Sequence, residues 1–146
     1  MIKIIQLYSK DAIKCFELDL ETINLWSLNQ WENELKKEKV KALAIFSKNK
    51  IIGVCVLQLI IDSAEINFFS IHPDFTRKGF GSKLISALLN KCKQLEINNV
   101  FLEVSKQNIV ALSFYSKFGF KTIGIRKSYY KDGSDAILKE KKLLKK

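Results

Sequence analysis

The stretch PDFTRKGFGSKLISALLNKC, residues 73–92, holds the chain's single proline and two of its six glycines. It lies between two runs that read as strands, AEINFFSIH (64–72) and NVFLEVS (99–105). Leu84, Ile85, Leu88, Leu89, Cys92 and Leu95 recur at three- and four-residue spacing, which predicts an amphipathic helix over about 80–96. A strand, a helix and a second strand in this order predict a β-α-β crossover joining two parallel strands. That unit constrains the fold most, because it forces a parallel pair into whatever sheet the other strands build. Glycine costs about 1 kcal/mol in a helix interior relative to alanine. Gly79 and Gly81 at the helix mouth therefore need a reason, either a tight turn or a backbone that must touch a ligand.

The flanking sequence supplies the other elements. IKIIQLY (2–8) reads as a strand, and Ser9 is placed to cap a helix carrying Ala12, Ile13, Phe16 and Leu20. Ser27, with Gln30 three residues on, is a capping-box start for a second helix through Trp31 and Leu35. Runs 40–47 and 51–61 join at Lys48–Asn49 as a hairpin. Asp62–Ser63 turns the chain into AEINFFSIH, which Pro73 stops. After the crossover come a short helix from Asn108 to Phe118, ended by Gly119, and strands near 120–129 and 135–143 around the turn Asp132–Gly133. The expected fold is α/β. One domain over residues 1–146 carries a mixed sheet of about seven strands and four helices around a central β-α-β crossover.

Composition narrows the partners. The formal charge is +10, yet only Arg77 and Arg126 are arginine among 25 basic residues. Nucleic-acid surfaces favour arginine for its planar fork, so lysine spread over every element argues for a solvated surface and against nucleic acid as the main partner. The same field would favour an anionic small ligand. The cysteines, Cys15, Cys55 and Cys92, fall in three different apolar elements. No CxxC pair or histidine cluster accompanies them, so no metal is expected, and they read as reduced core thiols of a cytoplasmic protein. The opening MIKIIQLYSKDA turns polar too soon for a signal peptide, and the apolar run IIGVCVLQLII is far short of a membrane span.

In open α/β sheets, ligands sit beyond the carboxyl ends of parallel strands, at helix N-termini. The loop from His72 to Gly81 occupies that place. Its amides, with no Cβ at Gly79 and Gly81, suit a pyrophosphate, and Arg77, Lys78 and Lys83 add charge. A dinucleotide fingerprint needs a third glycine where Leu84 stands, and the G-x-x-x-x-G-K-[ST] spacing of a P-loop is absent. What remains is a shorter loop, sized for one pyrophosphate.

These residues, together with FLEVSKQN, NIVALSFYSKFGF and the late stretch RKSYYKDGSDAI, resemble the GNAT acyltransferase superfamily over nearly the whole chain. Within it the chain is similar to the RimI-like N-terminal acetyltransferases, which modify the N-terminal alanine of a small-subunit ribosomal protein. The resemblance implies acetyl-CoA as co-substrate and a protein N-terminus as acceptor. It implies that Arg77, Lys78, Gly79, Phe80, Gly81 and Ser82 hold the pyrophosphate, and that Asn108 contacts the CoA moiety. It further implies that Phe69, Ser70 and Ile71 pair with the pantetheine arm, where an amide polarises the thioester carbonyl. Two positions depart from the pattern. Thr76 stands where relatives usually have Gln or Arg, and Leu25 where they often have Pro before Trp–Ser.

Acetyl transfer to an amine needs a neutral nucleophile and a proton for the departing thiolate. Alternation along NVFLEVS separates Phe101, Glu103 and Ser105 from Val100, Leu102 and Val104, leaving a carboxylate in an apolar strand. Glu103 is either a solvated strand-end residue or a base, and the resemblance favours the base. Tyr115 lies in line with Ala111, Leu112 and Phe118, the pattern of a core aromatic; the resemblance assigns it the acid. Asn108 doubles as a helix N-cap. His72, the only histidine, stands beside Pro73 and reads as structural or exposed. Tyr129 and Tyr130, adjacent before the final turn, are either alternating strand aromatics or, as the resemblance implies, a border of the acceptor groove. Two other readings fit less well. An acetyltransferase of a small amine, such as a polyamine or an aminoglycoside, would want an acidic acceptor cluster that the sequence lacks. A non-catalytic ribosome- or RNA-binding module would have no use for Glu103 and Tyr115.

Overall fold

The computed structural model describes residues 1–143. Seven strands form one sheet in the order β1-β2-β3-β4-β5-β7-β6. Strands β1 (Ile2–Leu7), β2 (Val40–Ser47), β3 (Lys50–Ile60) and β4 (Ser63–Ile71) run antiparallel in succession. Helix α3 (Phe80–Gln94) then crosses to β5 (Asn99–Ser105), which lies parallel to β4. Helix α4 (Ile109–Lys117) leads to β6 (Lys121–Arg126) at the edge and to β7 (Ala136–Lys142), inserted between β6 and β5. Among the described residues, no helix is long and apolar enough to cross a membrane.

Two apolar cores lie on opposite faces. One packs Leu84, Ile85, Leu88, Leu89 and Cys92 of α3 and Tyr115 of α4 against Val100, Leu102 and Val104 of β5. The other packs α1 (Ala12–Glu21) and α2 (Leu28–Lys36) against Val54, Val56 and Phe68. Strand β4 serves both because Ile66 pairs with Leu57 and Phe68 with Val56, leaving Asn67 as an extra residue in a β-bulge. Unbroken alternation would keep Ile66 and Phe68 on one face. Instead Ile66 faces α3, Phe68 faces α2, and Phe69 and Ile71 return to the α3 side.

Three details differ from the sequence reading. Residues Ser9–Asp11 form a 3-10 turn, so α1 begins at Ala12 and buries Ala12, Cys15, Leu18 and Asp19, while Ile13 and Leu20 face solvent. Strand β6 ends at Arg126, because Ser128 takes a φ of 51° and its amide is drawn to the Asp135 carboxylate. Leu95 leaves the apolar face of α3 as its C-cap and is partly exposed. The Ser27–Gln30 capping box forms as expected.

Asp19 organises the connection between α1 and α2. Its carboxylate is fully buried and accepts from the amides of Leu25 (2.8 Å) and Trp26 (2.9 Å) and from the Trp31 indole (2.9 Å). A buried donor without a partner costs about 1–3 kcal/mol. Asp19→Ala strands three such donors, so urea unfolding should show a loss of about 3 kcal/mol or more, with Asp19→Asn falling between. A loss under about 1 kcal/mol for the alanine variant would mean that water replaces the carboxylate.

Candidate active site

Strands β4 and β5 pair only through Ser63–Asn99, Ala64–Val100 and Glu65–Phe101. Beyond these three pairs the strands part. The His72 amide donates to the Ile52 carbonyl of β3 at 2.7 Å. Alternation along an extended chain then turns the polar backbone groups of Phe69 and Ile71 toward the gap, where no strand meets them. Beside this gap lies a cleft of about 600 Å³. Its walls are Phe69, Ser70 and Ile71 of β4, the loop with Thr76, Arg77 and Gly79, the start of α3 (Gly81, Ser82), and Asn108, Phe114 and Tyr115 around α4. The end of α1 closes the rim with Glu21, Thr22 and Ile23.

The N-terminus of α3 leaves backbone donors facing the cleft. Gly79 caps it with φ at 84°, a left-handed conformation that costs other residues about 1–2 kcal/mol. The cap has no side-chain hydrogen bond, and the Lys83 amide donates to the Gly79 carbonyl at 3.2 Å. The amides of Phe80, Gly81 and Ser82 therefore have no partner within the helix. Gly81, in the first turn of α3, lines the cleft beside Ser82. A Cβ there would lie 3.4 Å from the Phe114 ring and 3.8 Å from Ile71, ordinary van der Waals contacts, so the packing of α3 against α4 and β4 admits an alanine at Gly81. Around Gly79 there is open space, and only the backbone conformation demands glycine.

Of the expected ligand-binding residues, Lys78 and Phe80 do not line the cleft. The Lys78 ammonium sits 5.7 Å over the Phe75 ring, and Phe80 packs 6.1 Å from the same ring. Asn108 both lines the cleft and caps α4, accepting from the Ala111 amide at 3.1 Å. Tyr115 stands deep in the wall with its ring 6.1 Å from Phe69 and 5.3 Å from Phe114. Burial pushes its phenol well above the ordinary range. No local pattern marks Glu21, Thr22 or Phe114, which enter through the way α1 and α4 pack beside β4.

Glu103 lies elsewhere. It points away from Val104 and the α3 core, opposite Leu138, with its Oε1 3.5 Å from Nη2 of Arg126. Burial raises the Tyr130 phenol, and the nearby Glu103 carboxylate adds to the shift. Tyr129 and Tyr130 stack edge to face at 5.1 Å. The structure thus puts Glu103 and Tyr115 on two faces of one gap, not in one wall. His72 is buried, and its contacts join the cleft rim to β4. All three cysteines are buried outside the cleft, with Cys15 and Cys55 pushed up to about 12 and Cys92 to about 11 by burial.

A mixed α/β sheet parted at a parallel pair, with free helix amides and a free strand edge facing one cleft, gives a site suited to an anionic, extended ligand. A profile of the acetyltransferase (GNAT) family matches residues 3–120, and the chain belongs to that family. It is similar to the ribosomal protein bS18-alanine N-acetyltransferase of Haemophilus influenzae, 30% identical over 126 residues, 86% of this chain and 85% of that one. Its fold resembles the crystal structure of the Escherichia coli ribosomal-protein-S18-alanine N-acetyltransferase, with a TM-score of 0.93 over 100% of this chain and 96% of that one at 23% identity. An N-acetyltransferase from Thermoplasma acidophilum in complex with coenzyme A aligns at a TM-score of 0.81 and 27% identity, over 98% and 99% of the two chains.

The two glycines separate by stability. Gly81→Ala should melt no lower than the parent, because its Cβ makes ordinary contacts and alanine favours the helix by about 1 kcal/mol. Gly79→Ala should lose about 1 kcal/mol despite the open space. Thermal denaturation showing the reverse order would reject these assignments.

Proposed function

We propose that residues 1–146 form an N-acetyltransferase domain that moves the acetyl group of acetyl-CoA onto the N-terminal α-amine of a protein. The acceptor is an alanine-first small-subunit ribosomal protein, met in the cytoplasm. The observation that carries this reading is the meeting, in one cleft beside Tyr115, of the free α3 amides and the unpaired edge of β4. The amides of Phe80, Gly81 and Ser82 hold the pyrophosphate, with Arg77 and Lys78 adding charge and Asn108 touching the CoA moiety. Phe69, Ser70 and Ile71 present the strand edge along which the pantetheine arm lies, and an amide there stabilises the oxyanion.

Transfer is direct. The amine attacks the thioester carbonyl, the oxyanion collapses, and the C–S bond breaks. No thiol lines the cleft, and raised thiol pKa values leave the buried cysteines protonated. The amine approaches from the Glu103 side of the gap and loses its proton to Glu103 directly or through water. Tyr115, the candidate acid, donates a hydrogen bond to the departing sulfur, which leaves as a thiolate and takes its proton from solvent. A phenol is a weaker acid than a thiol, and burial weakens this one further. Tyr115 therefore acts by sharing its proton as negative charge builds on sulfur, not by becoming a free phenolate.

The experiment is acetylation of an alanine-first peptide followed by mass spectrometry. Tyr115→Phe should bind acetyl-CoA normally and lose roughly 10²-fold or more in kcat, the usual scale for a general acid. A variant that melts lower yet turns over normally would return Tyr115 to the core. Glu103→Gln keeps size but cannot take a proton at neutral pH. Its loss in kcat/KM should be large at pH 7 and shrink above about pH 8, where an α-amine deprotonates unaided. A lysine acceptor, with a pKa near 10.4, would show no such recovery until well beyond about pH 9. Equal rates for parent and variant at pH 7 would remove Glu103 from the mechanism.

A further inference from the structure

The rim formed by the end of α1 is tied to β4 at two points. The Thr22 and Ser70 hydroxyls lie 3.2 Å apart. One residue before Thr22 and two after Ser70, Glu21 meets His72, with Nε2 2.6 Å from Oε2. The His72 side chain is only 9% exposed, whereas that of Glu21 is 61% exposed and lines the cleft. The other ring nitrogen fixes the tautomer. The Asp74 amide can only donate, and it reaches Nδ1 at 3.1 Å, so Nε2 carries the proton and donates it to Glu21. One imidazole thus caps the turn that opens the anion loop and holds the α1 rim. Lys14, Glu17 and Lys50 share the shallow cleft behind this pair, but among the described residues Glu21 is the one group bonded to Nε2.

We infer that His72 is a positioning residue: its bond to Glu21 fixes the Glu21–Ile23 rim, and with it the Asp19-braced loop to Trp26, against the donor strand, setting the width of the acceptor entrance. The inference rests on the peptide-acceptor reading above. The rim sits where α1 meets the donor cleft, and the loop it anchors exposes Ile23 and Leu25 to whatever enters. A carboxylate on the rim of a site for a polyanion is unfavourable by charge alone. Its place there is accounted for by the bond it accepts, not by contact with the donor.

The variants divide the two functions of the ring. His72→Asn keeps a side chain able to cap the Asp74 amide but too short to reach Glu21. Glu21→Ala removes the exposed partner with little threat to folding, and Glu21→Gln restores a neutral acceptor oxygen. For His72→Asn and Glu21→Ala, the KM for the alanine-first peptide should rise at least about fivefold, with kcat within twofold and acetyl-CoA affinity no weaker by calorimetry. Glu21→Gln should return close to the parent. Amide exchange at Thr22, Ile23 and Asn24 should quicken in the two broken variants and not in Glu21→Gln. Unchanged exchange, an unchanged peptide KM, or a loss of acetyl-CoA affinity in place of peptide affinity would overturn the inference. If the parent enzyme acetylates no α-amine, the functional reading fails separately, and the exchange data alone decide whether His72 fixes the rim.

Discussion

Everything in the site depends on a ladder that stops. After Glu65 and Phe101, β4 and β5 cease to pair, although each continues for several residues. Unpaired strand edges within a sheet are normally unfavourable, because each backbone amide and carbonyl wants a partner. Here aromatic side chains fill the wedge, with Phe69, Phe114 and Tyr115 packed between α4 and the parted strands. The bulge at Asn67 turns Phe69 and Ile71 to that side. The result is an open strand edge beside the cleft, the kind of edge along which an extended ligand can pair as another strand.

The parting also explains the separation of the two candidate catalytic groups. A strand presents successive side chains to opposite faces. Val104 therefore joins the α3 core while Glu103 faces the side with Arg126 and Tyr130. Tyr115, arriving from α4, approaches from the α3 face. In a continuous sheet the two would be screened from each other by backbone. In the transfer proposed above, donor and acceptor meet at this gap, with Tyr115 on one face and Glu103 on the other. Arg126 and Glu103 form a partly exposed pair, in which water competes with the bond and the carboxylate stays available.

The anion end and the acceptor rim are held by different means. At the α3 terminus, backbone geometry does the work, through one left-handed glycine and amides that no cap consumes. At the α1 rim, side chains do it, through the buried Asp19 carboxylate, the Thr22–Ser70 contact and the His72–Glu21 bond. The first depends on local sequence and the second on residues up to 51 positions apart.

That difference sets what could be read from the sequence. Helix α3 and its glycine loop, the Ser27 capping box, the hairpins and the crossover follow from patterns a few residues long, since turn chemistry and apolar period are local. Asn108 as a cap and Gly119 as a helix stop were legible for the same reason. The resemblance to a known family added Glu103 and Tyr115, which spacing alone would have left as a strand-end carboxylate and a core aromatic. Only the tertiary structure decided that β4 changes face at Asn67, that α1 buries its 12-15-18 stripe, and that the lone histidine reaches across to Glu21. Each of these is fixed by which surfaces meet. A sequence specifies such meetings through the summed packing of many distant residues, and no local pattern records them.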